Sequence, residues 1–292
     1  MVSIITVNYN GWQDTCELLS SLKKFESYPH EVIVVDNASK GDDAERISIA
    51  HPDAVVVRSE RNLGFAGGNN LGCRYAHGEY LFFLNNDMVI KRPMLAPMVA
   101  RLSDLKIGGV SPCIHYLYKP EELQYYGYRD MTPLTLKHTT EPFDPLKVAD
   151  FMQPKETEVL HGGAMMVRRD VVEAVGRMTE VYFLFYEEFD WSYRMRKAGY
   201  TLYYEPEAEV YHKESMTIPK ATPFREYYLS RARVIYARRN CSGWRKPLTC
   251  AYLLLVALPK KMLMFAVGKR LDLLSAIWRG TFAGFLKWSV SG

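Results

Sequence analysis

Residues 1–36, MVSIITVNYNGWQDTCELLSSLKKFESYPHEVIVVD, set the architecture. Residues 2–7 are a short apolar run with β-branched members, and residues 31–36 are another. Between them Trp12, Cys16, Leu19, Leu22 and Phe25 recur at helical spacing. A strand covered on both faces reads as a continuous apolar run, and two such strands joined by a helix make the unit of a parallel sheet. The pattern continues downstream. Residues 42–51 can form a helix and 54–57 a third strand. The glycine-rich residues 62–72 run toward a helix ending near His77, and residues 80–84 (YLFFL) are a fourth strand. Residues 1 to about 115 are therefore an α/β unit with a mostly parallel sheet flanked by helices.

Residues 115–158 lose this pattern. They hold several Pro, Tyr and charged residues and are too long for an ordinary connection, so they read as an excursion over the surface near the site. Order returns with a strand at 163–167, a helix at 169–175, a helix at 189–198 stopped by Gly199, and a strand at 201–204. No internal repeat is evident.

The chain has 292 residues, 48% apolar, 24% charged and 13% aromatic, which excludes a disordered chain and a collagen-like repeat. Five scattered cysteines without CxxC spacing argue against a disulfide framework or a cysteine zinc site and fit reduced thiols in a cytosolic compartment. Residues 1–10 have no basic region or cleavage site and read as a first strand rather than a signal peptide.

Charge divides unevenly. Residues 213–292 carry seven Lys and eight Arg against three acids, a net +12, which leaves −8 for the first 212 residues of a chain whose total is +4. The same tail is apolar. Residues 227–239 read as a basic helix. Residues 248–258 form an 11-residue apolar run cut by Pro259-Lys260-Lys261, shorter than the roughly 20 residues a spanning helix needs. Residues 262–267 are apolar again, and 271–288 are amphipathic with Trp278 and Trp288. Such a tail suits helices lying on an anionic membrane surface, rather than nucleic acid; packing on the chain's own body or a dimer contact is the other use of such helices. The expected division is 1–225 for the α/β unit and 226–292 for the helical tail.

The residue types that carry chemistry cluster at strand ends, where open parallel sheets bind ligands. Asp36, followed by Asn37, can accept hydrogen bonds from a ribose or a base, or can serve as a turn cap; Asn8 and Asn10 would lie beside it. The glycines of residues 62–70, Gly67 among them, are neither a P-loop nor a dinucleotide fingerprint. They permit backbone N–H groups near a phosphate, or close packing of helix on sheet. Asn85-Asn86-Asp87 ends the fourth strand and can offer oxygen to Mg²⁺ or Mn²⁺, with Asp87 as the ligand, or can form a polar turn. Glu187, Glu188 and Asp190 stand among aromatics, which favours a general base with a raised pKa, while Asp190 and Arg194 can pair one helical turn apart. His212 gains a role only if it converges on Asp87.

In order, VSIITVNYNG, EVIVVDNAS, RNLGFAGGNN, YLFFLNND, HGGAMMVRR, FLFYEEFDWSYRMRKAGY and VYH resemble the family 2 inverting glycosyltransferases of GT-A fold. The chain looks most like the bacterial rhamnosyltransferase-type branch that builds cell-surface polysaccharide. The resemblance spans about residues 1–215 and implies a set of roles. Asp36 would hold the base or ribose of a nucleotide diphosphate sugar, with Asn8, Asn10, Asn37, Gly67 and Asn86 around the donor. Asp87 and His212 would hold a divalent cation. Gly162, Gly163 and Glu187 would line the donor and acceptor pocket, and Glu188 would be the catalytic base. Two departures stand out. The metal motif lacks its earlier carboxylates, which lowers the expected metal affinity, and the base is Glu where relatives have Asp. The implied protein moves a sugar, rhamnose favoured, to a glycan or polyprenyl-linked hydroxyl. It would work as a cytoplasmic enzyme peripheral on the inner face of the cell membrane. A catalytically silent binding module on the same scaffold and a different nucleotide-dependent enzyme, such as a nicotinamide oxidoreductase, are the rival readings.

Overall fold

The structure, a computed structural model, describes residues 1–140, 142–213 and 221–286. It begins with β1 (Val2–Asn8), α1 (Trp12–Phe25), β2 (His30–Asp36), α2 (Asp43–Ala50), β3 (Val55–Arg58), α3 (Gly64–Gly72) and β4 (Tyr80–Leu84). These four strands are parallel, in the order β3-β2-β1-β4. Alternate residues face opposite layers. Ile4, Val34 and Phe82 join Leu18, Leu19 and Leu22 of α1 in one core. Ile5, Ile33, Val35, Leu81 and Phe83 pack on the other side with Ala66 and Cys73. Both faces are covered, which is why the strands read as unbroken apolar runs. The β1–β2 register sets Asn8 opposite Asp36 at the strand ends.

The chain continues through β5 (Met88–Val89), α4 (Leu95–Leu102), β6 (Ile107–Tyr116), β7 (Lys119–Tyr125), α5 (Val148–Phe151), β8 (Lys155–Thr157), β9 (Ala164–Arg168), α6 (Arg169–Val175), α7 (Glu187–Lys197) and β10 (Thr201–His212). The sheet path extends as β4-β9-β6-β10-β5, with β7 on β6 and β8 on β10. Strand β9 is antiparallel to both β4 and β6, and β10 is parallel to β6. Six of the eight strands on the path thus point the same way, and β9 and β5 oppose them. The expected α/β architecture with a mostly parallel sheet is the observed one.

Several elements exceed the sequence reading. Strand β6 was not expected because its sequence, IGGVSPCIHY, carries two glycines, a serine and a proline. The structure accounts for them. A Cβ at Gly109 would stand 2.6 Å from Leu160. Pro112, which has no N–H to give, falls where the β6–β10 register breaks, between Glu205 and Glu209. The excursion at 115–158 is partly ordered, since β7 and β8 extend the sheet. Strand β10 runs to His212 instead of ending at 204, and that extension brings His212 to the site. All five cysteines are free thiols.

The tail consists of α8 (Pro223–Asn240), α9 (Arg245–Tyr252), α10 (Leu258–Val267) and α11 (Leu274–Leu286). The expected break at Pro259 does not occur. A π-helical segment, Leu253–Ala257, joins α9 to α10 in one 23-residue helix, Arg245–Val267, long and apolar enough to cross a membrane. A proline ring collides with the carbonyl four residues back, and the wider i→i+5 turn just before it absorbs that conflict. The expected division at residue 225 falls inside α8, whose Ala232, Val234, Ile235 and Tyr236 share a core with Met131, Leu136 and Tyr182 of the body. Trp288 lies outside the described residues.

Candidate active site

The carboxyl ends of β1, β2 and β4 and the start of α8 surround a cavity of about 570 Å³. Its walls include Tyr9, Asn37, Asn62, Asn85, Asn86, Asp87 and His212, faced by Phe183, Phe185 and Arg225. Among the expected residues, Asn37, Asn86, Asp87 and His212 therefore line one space. Asp36, Asn8, Asn10, Gly67, Gly162, Gly163, Glu187 and Glu188 do not line it.

Asn8 is fully buried, and its amide gives hydrogen bonds to Asp36 Oδ1 (3.0 Å), Ser39 Oγ (3.1 Å) and Asp43 Oδ2 (3.0 Å). Its carbonyl oxygen accepts from the Thr15 hydroxyl at 2.9 Å. Every polar atom of Asn8 is engaged, so it fixes Asp36 rather than touching a ligand. The Asp36 carboxylate also accepts from the Ser39 hydroxyl, while its Oδ2 is buried without a hydrogen-bond partner and has Arg58 Nε at 3.6 Å. A buried carboxylate oxygen left open is costly unless something donates to it. Asn10 holds the following turn, its Oδ1 accepting from the Lys40 N–H at 2.9 Å.

The glycine-rich stretch takes its packing role. The N–H groups of Leu63, Gly64 and Phe65 are already bound, to Asn37 Oδ1, Asn62 Oδ1 and the Phe183 carbonyl respectively. The start of α3 thus has these three donors spent within the chain. A Cβ at Gly67 would meet Leu63 at 2.7 Å, and one at Gly68 would meet Val7 at 2.9 Å. Only glycine lets this helix lie so close to the sheet.

Asp87 and His212 converge, with Nε2 of His212 3.1 Å from Asp87 Oδ1. The antiparallel pairing of β5 with β10 brings them there, His212 standing opposite Met88. On its other edge, His212 Nδ1 lies 2.6 Å from Gln124 Oε1. The Gln124 carbonyl oxygen can only accept, so Nδ1 donates to it and Nε2 is the ring nitrogen turned toward Asp87. An imidazole nitrogen and a carboxylate oxygen 3.1 Å apart have the spacing of two adjacent ligands of one cation. Gln124 supplies the outer hydrogen bond that metal-binding imidazoles have. Among the described residues there is no cluster of three or more His, Cys, Asp or Glu side chains able to hold a metal. A cation here would take two protein ligands and complete its shell with oxygens from its substrate and water.

The acidic segment lies beyond this cavity. Glu188 is half-buried and drapes over Gly162, where an added Cβ would lie 3.5 Å from its side chain. Gly163 is tighter, with Met88 Cε at 2.9 Å from such a Cβ, and its carbonyl accepts from the Asn85 N–H at 2.8 Å. Residues 161–163 are therefore the bridge between the Asn85–Asp87 turn and Glu188. Burial pushes the Glu188 carboxyl up to about 7. Glu187 is buried to 1% exposure with Oε1 unbonded; burial first, then the neighbouring Glu188 charge, raises it well above the ordinary carboxyl value. Asp190 behaves oppositely. Against the effect of burial, hydrogen bonding from Asn240 and the charges of Arg194 and Arg239 hold it below the ordinary value. The i,i+4 pair with Arg194 is present at 3.0 Å.

Three residues the sequence reading did not single out belong to the site. His161 is pushed down to about 3, chiefly by burial, and its Nδ1 accepts from the Gly163 N–H. Its signal was the histidine opening HGG. Gln124 had none, sitting in the patternless excursion. Arg225 lies over the Phe185 ring at 5.4 Å and faces the cavity. The segment before α7 is strained, with Phe183, Phe185 and Tyr186 at φ of 70°, 69° and 74°.

Compared with known proteins, residues 3–176 match the family model described as Glycosyl transferase family 2. Over 207 residues the chain is 28% identical to the low-salt glycan biosynthesis hexosyltransferase Agl10 of Haloferax volcanii, covering 67% of this chain and 62% of that protein, less than two thirds of its length. Over 273 residues it is 24% identical to the N-acetylglucosaminyl-diphospho-decaprenol L-rhamnosyltransferase of Mycobacterium tuberculosis, covering 85% and 88%. The solved mannosyltransferase PcManGT from Pyrobaculum calidifontis, in complex with GDP-Man and Mn²⁺, superposes with a TM-score of 0.60 over 98% of this chain and 87% of that one at 19% identity, a likeness of fold.

Proposed function

The chain belongs to glycosyl transferase family 2, and from that premise we propose that it moves a sugar, rhamnose favoured, from a nucleotide diphosphate donor to a hydroxyl of a glycan or polyprenyl-linked acceptor, with inversion of configuration. The observation that carries this reading is the cavity walled by Asn37, Asp87 and His212, with a raised carboxyl, Glu188, just beyond it.

The donor's nucleoside would lie along Tyr9, Asn37 and Asn62, with the open oxygen of Asp36 behind them to accept from a base N–H. Arg225 would face the diphosphate. Asp87 and His212 would hold a divalent cation, Mg²⁺ or Mn²⁺, which when bound would neutralise charge on the leaving diphosphate. Glu188, across Gly162, would take the proton from the acceptor hydroxyl as its oxygen attacks the anomeric carbon from the face opposite the leaving group. A carboxyl near 7 is suited to that task, because about half of it is ionised, and still basic, at neutral pH. Glu187, more deeply buried than Glu188, would shape the pocket. The relative named as an L-rhamnosyltransferase supports the choice of sugar.

The tail would dock the enzyme on the inner face of the cell membrane. Leu248, Leu255, Val256, Leu263, Met264 and Val267 are exposed along the Arg245–Val267 helix, with Trp244 and Trp278 nearby. Lys260 and Lys261 interrupt the apolar run of that helix, and Lys261 pairs with Glu226 of α8 at 2.5 Å, so the helix lies against α8 rather than apart from it. A surface-lying helix next to a site for lipid-linked acceptors would suit this arrangement.

The test is thermal unfolding of the whole chain with a panel of nucleotide diphosphate sugars, with and without Mn²⁺ or Mg²⁺, followed by release of nucleoside diphosphate. Protection by at least one donor is expected, and His212→Ala should remove the cation-dependent part. No protection by any donor rejects the function; protection that ignores cations rejects the metal site alone.

A further inference from the structure

One wall of the active-site cavity comes from α8 rather than from the sheet. Thr222, Phe224 and Arg225 line it together with Asn37 and Asp87. Ring contacts shape this wall. Phe224 packs on Tyr228 at 4.8 Å, Tyr228 stacks on Phe183 at 4.8 Å, and Arg225 lies over Phe185 at 5.4 Å. The first turn of a helix is its least secured part, because its N–H groups have no carbonyl one turn back. Strain adds to that here, since Ala221, just before the Thr222 cap, has φ of 55°. Such a turn keeps its shape when something outside the helix holds it.

The tail holds it. Arg270, between α10 and α11, gives a hydrogen bond from Nη2 to the Ala221 carbonyl at 2.7 Å. Ala221 also packs against Leu258, Leu273 and Ile277, a small core made by the tail helices. On the other side of the turn, Glu226 is buried to 4% exposure, and Lys261 of α10 brings Nζ to 2.5 Å from its Oε2. That oxygen has no well-directed hydrogen bond, so the Lys261 charge is what balances it. Next along, an added Cβ at Gly280 of α11 would stand 2.2 Å from the Tyr227 carbonyl oxygen, so α11 backs the same turn. The two basic side chains thus bracket residues 222–225: one grips the residue before them and the other the residue after. Neither of them lines the cavity.

We propose that Lys261 and Arg270 are positioning residues for donor binding: they fix the α8 turn that carries Thr222, Phe224 and Arg225, which makes the tail part of the donor site. The inference rests on the glycosyl-transfer reading and adds to it two residues, far along the chain from every strand end, on which nucleotide affinity depends. The tail then has a second task besides docking, and donor binding crosses the expected boundary at residue 225.

Nucleotide affinity of the full chain tests it, read from the concentration dependence of thermal protection by UDP, dTDP and GDP with Mn²⁺. Lys261→Met and Arg270→Met should each weaken the best-protecting nucleotide by at least about fivefold, the lower end of ordinary coupling between sites. Lys261→Met strands the buried Glu226 charge, so Lys261→Met combined with Glu226→Gln removes both charges and should weaken binding in the same way. Unfolding midpoints without nucleotide report that each variant folds. Arg238→Met is the control for tail packing in general. Arg238 gives hydrogen bonds to the Gly284 and Phe285 carbonyls near the other end of α8. Its loss should leave nucleotide affinity within about twofold, because distant sites act independently. Native affinity in the double variant and in Arg270→Met would overturn the inference. An equal loss in Arg238→Met would overturn it too, because the tail would then act only by holding the whole fold together. If no nucleotide protects the native protein, the glycosyl-transfer reading itself fails.

Discussion

Replacing Glu188 with Gln should separate folding from chemistry. Burial lifts this carboxyl from an ordinary value of 4.5 to about 7. Between those pH values the folded protein holds a proton that the unfolded chain has released. The stability tied to that proton is present in full below about 4.5 and is lost as pH rises through 7. At about 1.4 kcal/mol per pH unit, the folded state gives up about 3 kcal/mol by pH 8. Gln carries no such proton. Urea unfolding should therefore find native protein and Glu188→Gln matched near pH 4.5, with the variant more stable at pH 8 by up to about 3 kcal/mol.

Turnover should move the other way. Loss of a general base costs about 10²–10⁴-fold, and donor protection against unfolding should persist. In the native enzyme kcat/KM should fall tenfold per pH unit below about 7, as the base becomes protonated. Glu187→Gln is the matched control. Glu187 is buried away from the cavity wall, so an amide of the same shape should leave turnover within about tenfold and leave the acid limb in place. Near-normal turnover in Glu188→Gln, or identical pH dependence of stability in both proteins, would refute the assignment. If Glu187→Gln shows the collapse instead, the base is Glu187.

Three further outcomes follow from single contacts. Gly64 has φ of +73°, and an added Cβ would stand 2.2 Å from the Phe183 carbonyl oxygen; Gly64→Ala should cost at least about 2 kcal/mol in urea unfolding, and a native midpoint would refute the packing. Gln124→Leu leaves His212 without the acceptor that fixes its tautomer, so Mn²⁺ affinity should fall by about 10–100-fold, read from the Mn²⁺ dependence of thermal protection with nucleotide present; an unchanged dependence would refute the ligand role of His212. Leu255 and Leu263 are 70% and 66% exposed. Changing both to Glu should leave the unfolding midpoint alone but lower sedimentation with anionic vesicles more than tenfold, since each buried leucine is worth about 1.5–3 kcal/mol, and native-level sedimentation would refute the docking face.

The sheet was legible because burial on both faces leaves a local signature. Runs such as IVV at 33–35 and LFF at 81–83 need no distant information to be read as strands. The site was legible where a strand ends in polar residues, as at Asn85–Asp87. Gln124 was not, because its value comes from pairing: β7 folds back on β6, and that register brings Gln124 to His212. Strand β6 was hidden for a related reason. Its glycines and proline look like loop residues until Leu160 and the β10 irregularity are in place around them. Pro259 misled in the opposite sense, since a proline stops a helix locally but a π turn can carry it through.

The acidic segment shows most plainly how one composition divides into different chemistries. Glu187, Glu188 and Asp190 lie within four residues, and all three are shielded from water to some degree. Shielding alone would raise all three together. Asp190 escapes because five groups converge on it: Thr179, Tyr182, Arg194, Arg239 and Asn240. Two of these come from the last turn of α8, so the tail that carries the exposed apolar face also holds down the charge of the helix that bears Glu188. Glu187 gains no such set of side-chain donors and is pushed well above the ordinary carboxyl value. Glu188, lying over Gly162 at the edge of the cleft, is left between those extremes. Its intermediate value is thus a property of position on α7: one residue inward burial pushes a carboxyl well up, two residues onward converging donors hold one down, and the residue facing the glycines lies between, near neutrality.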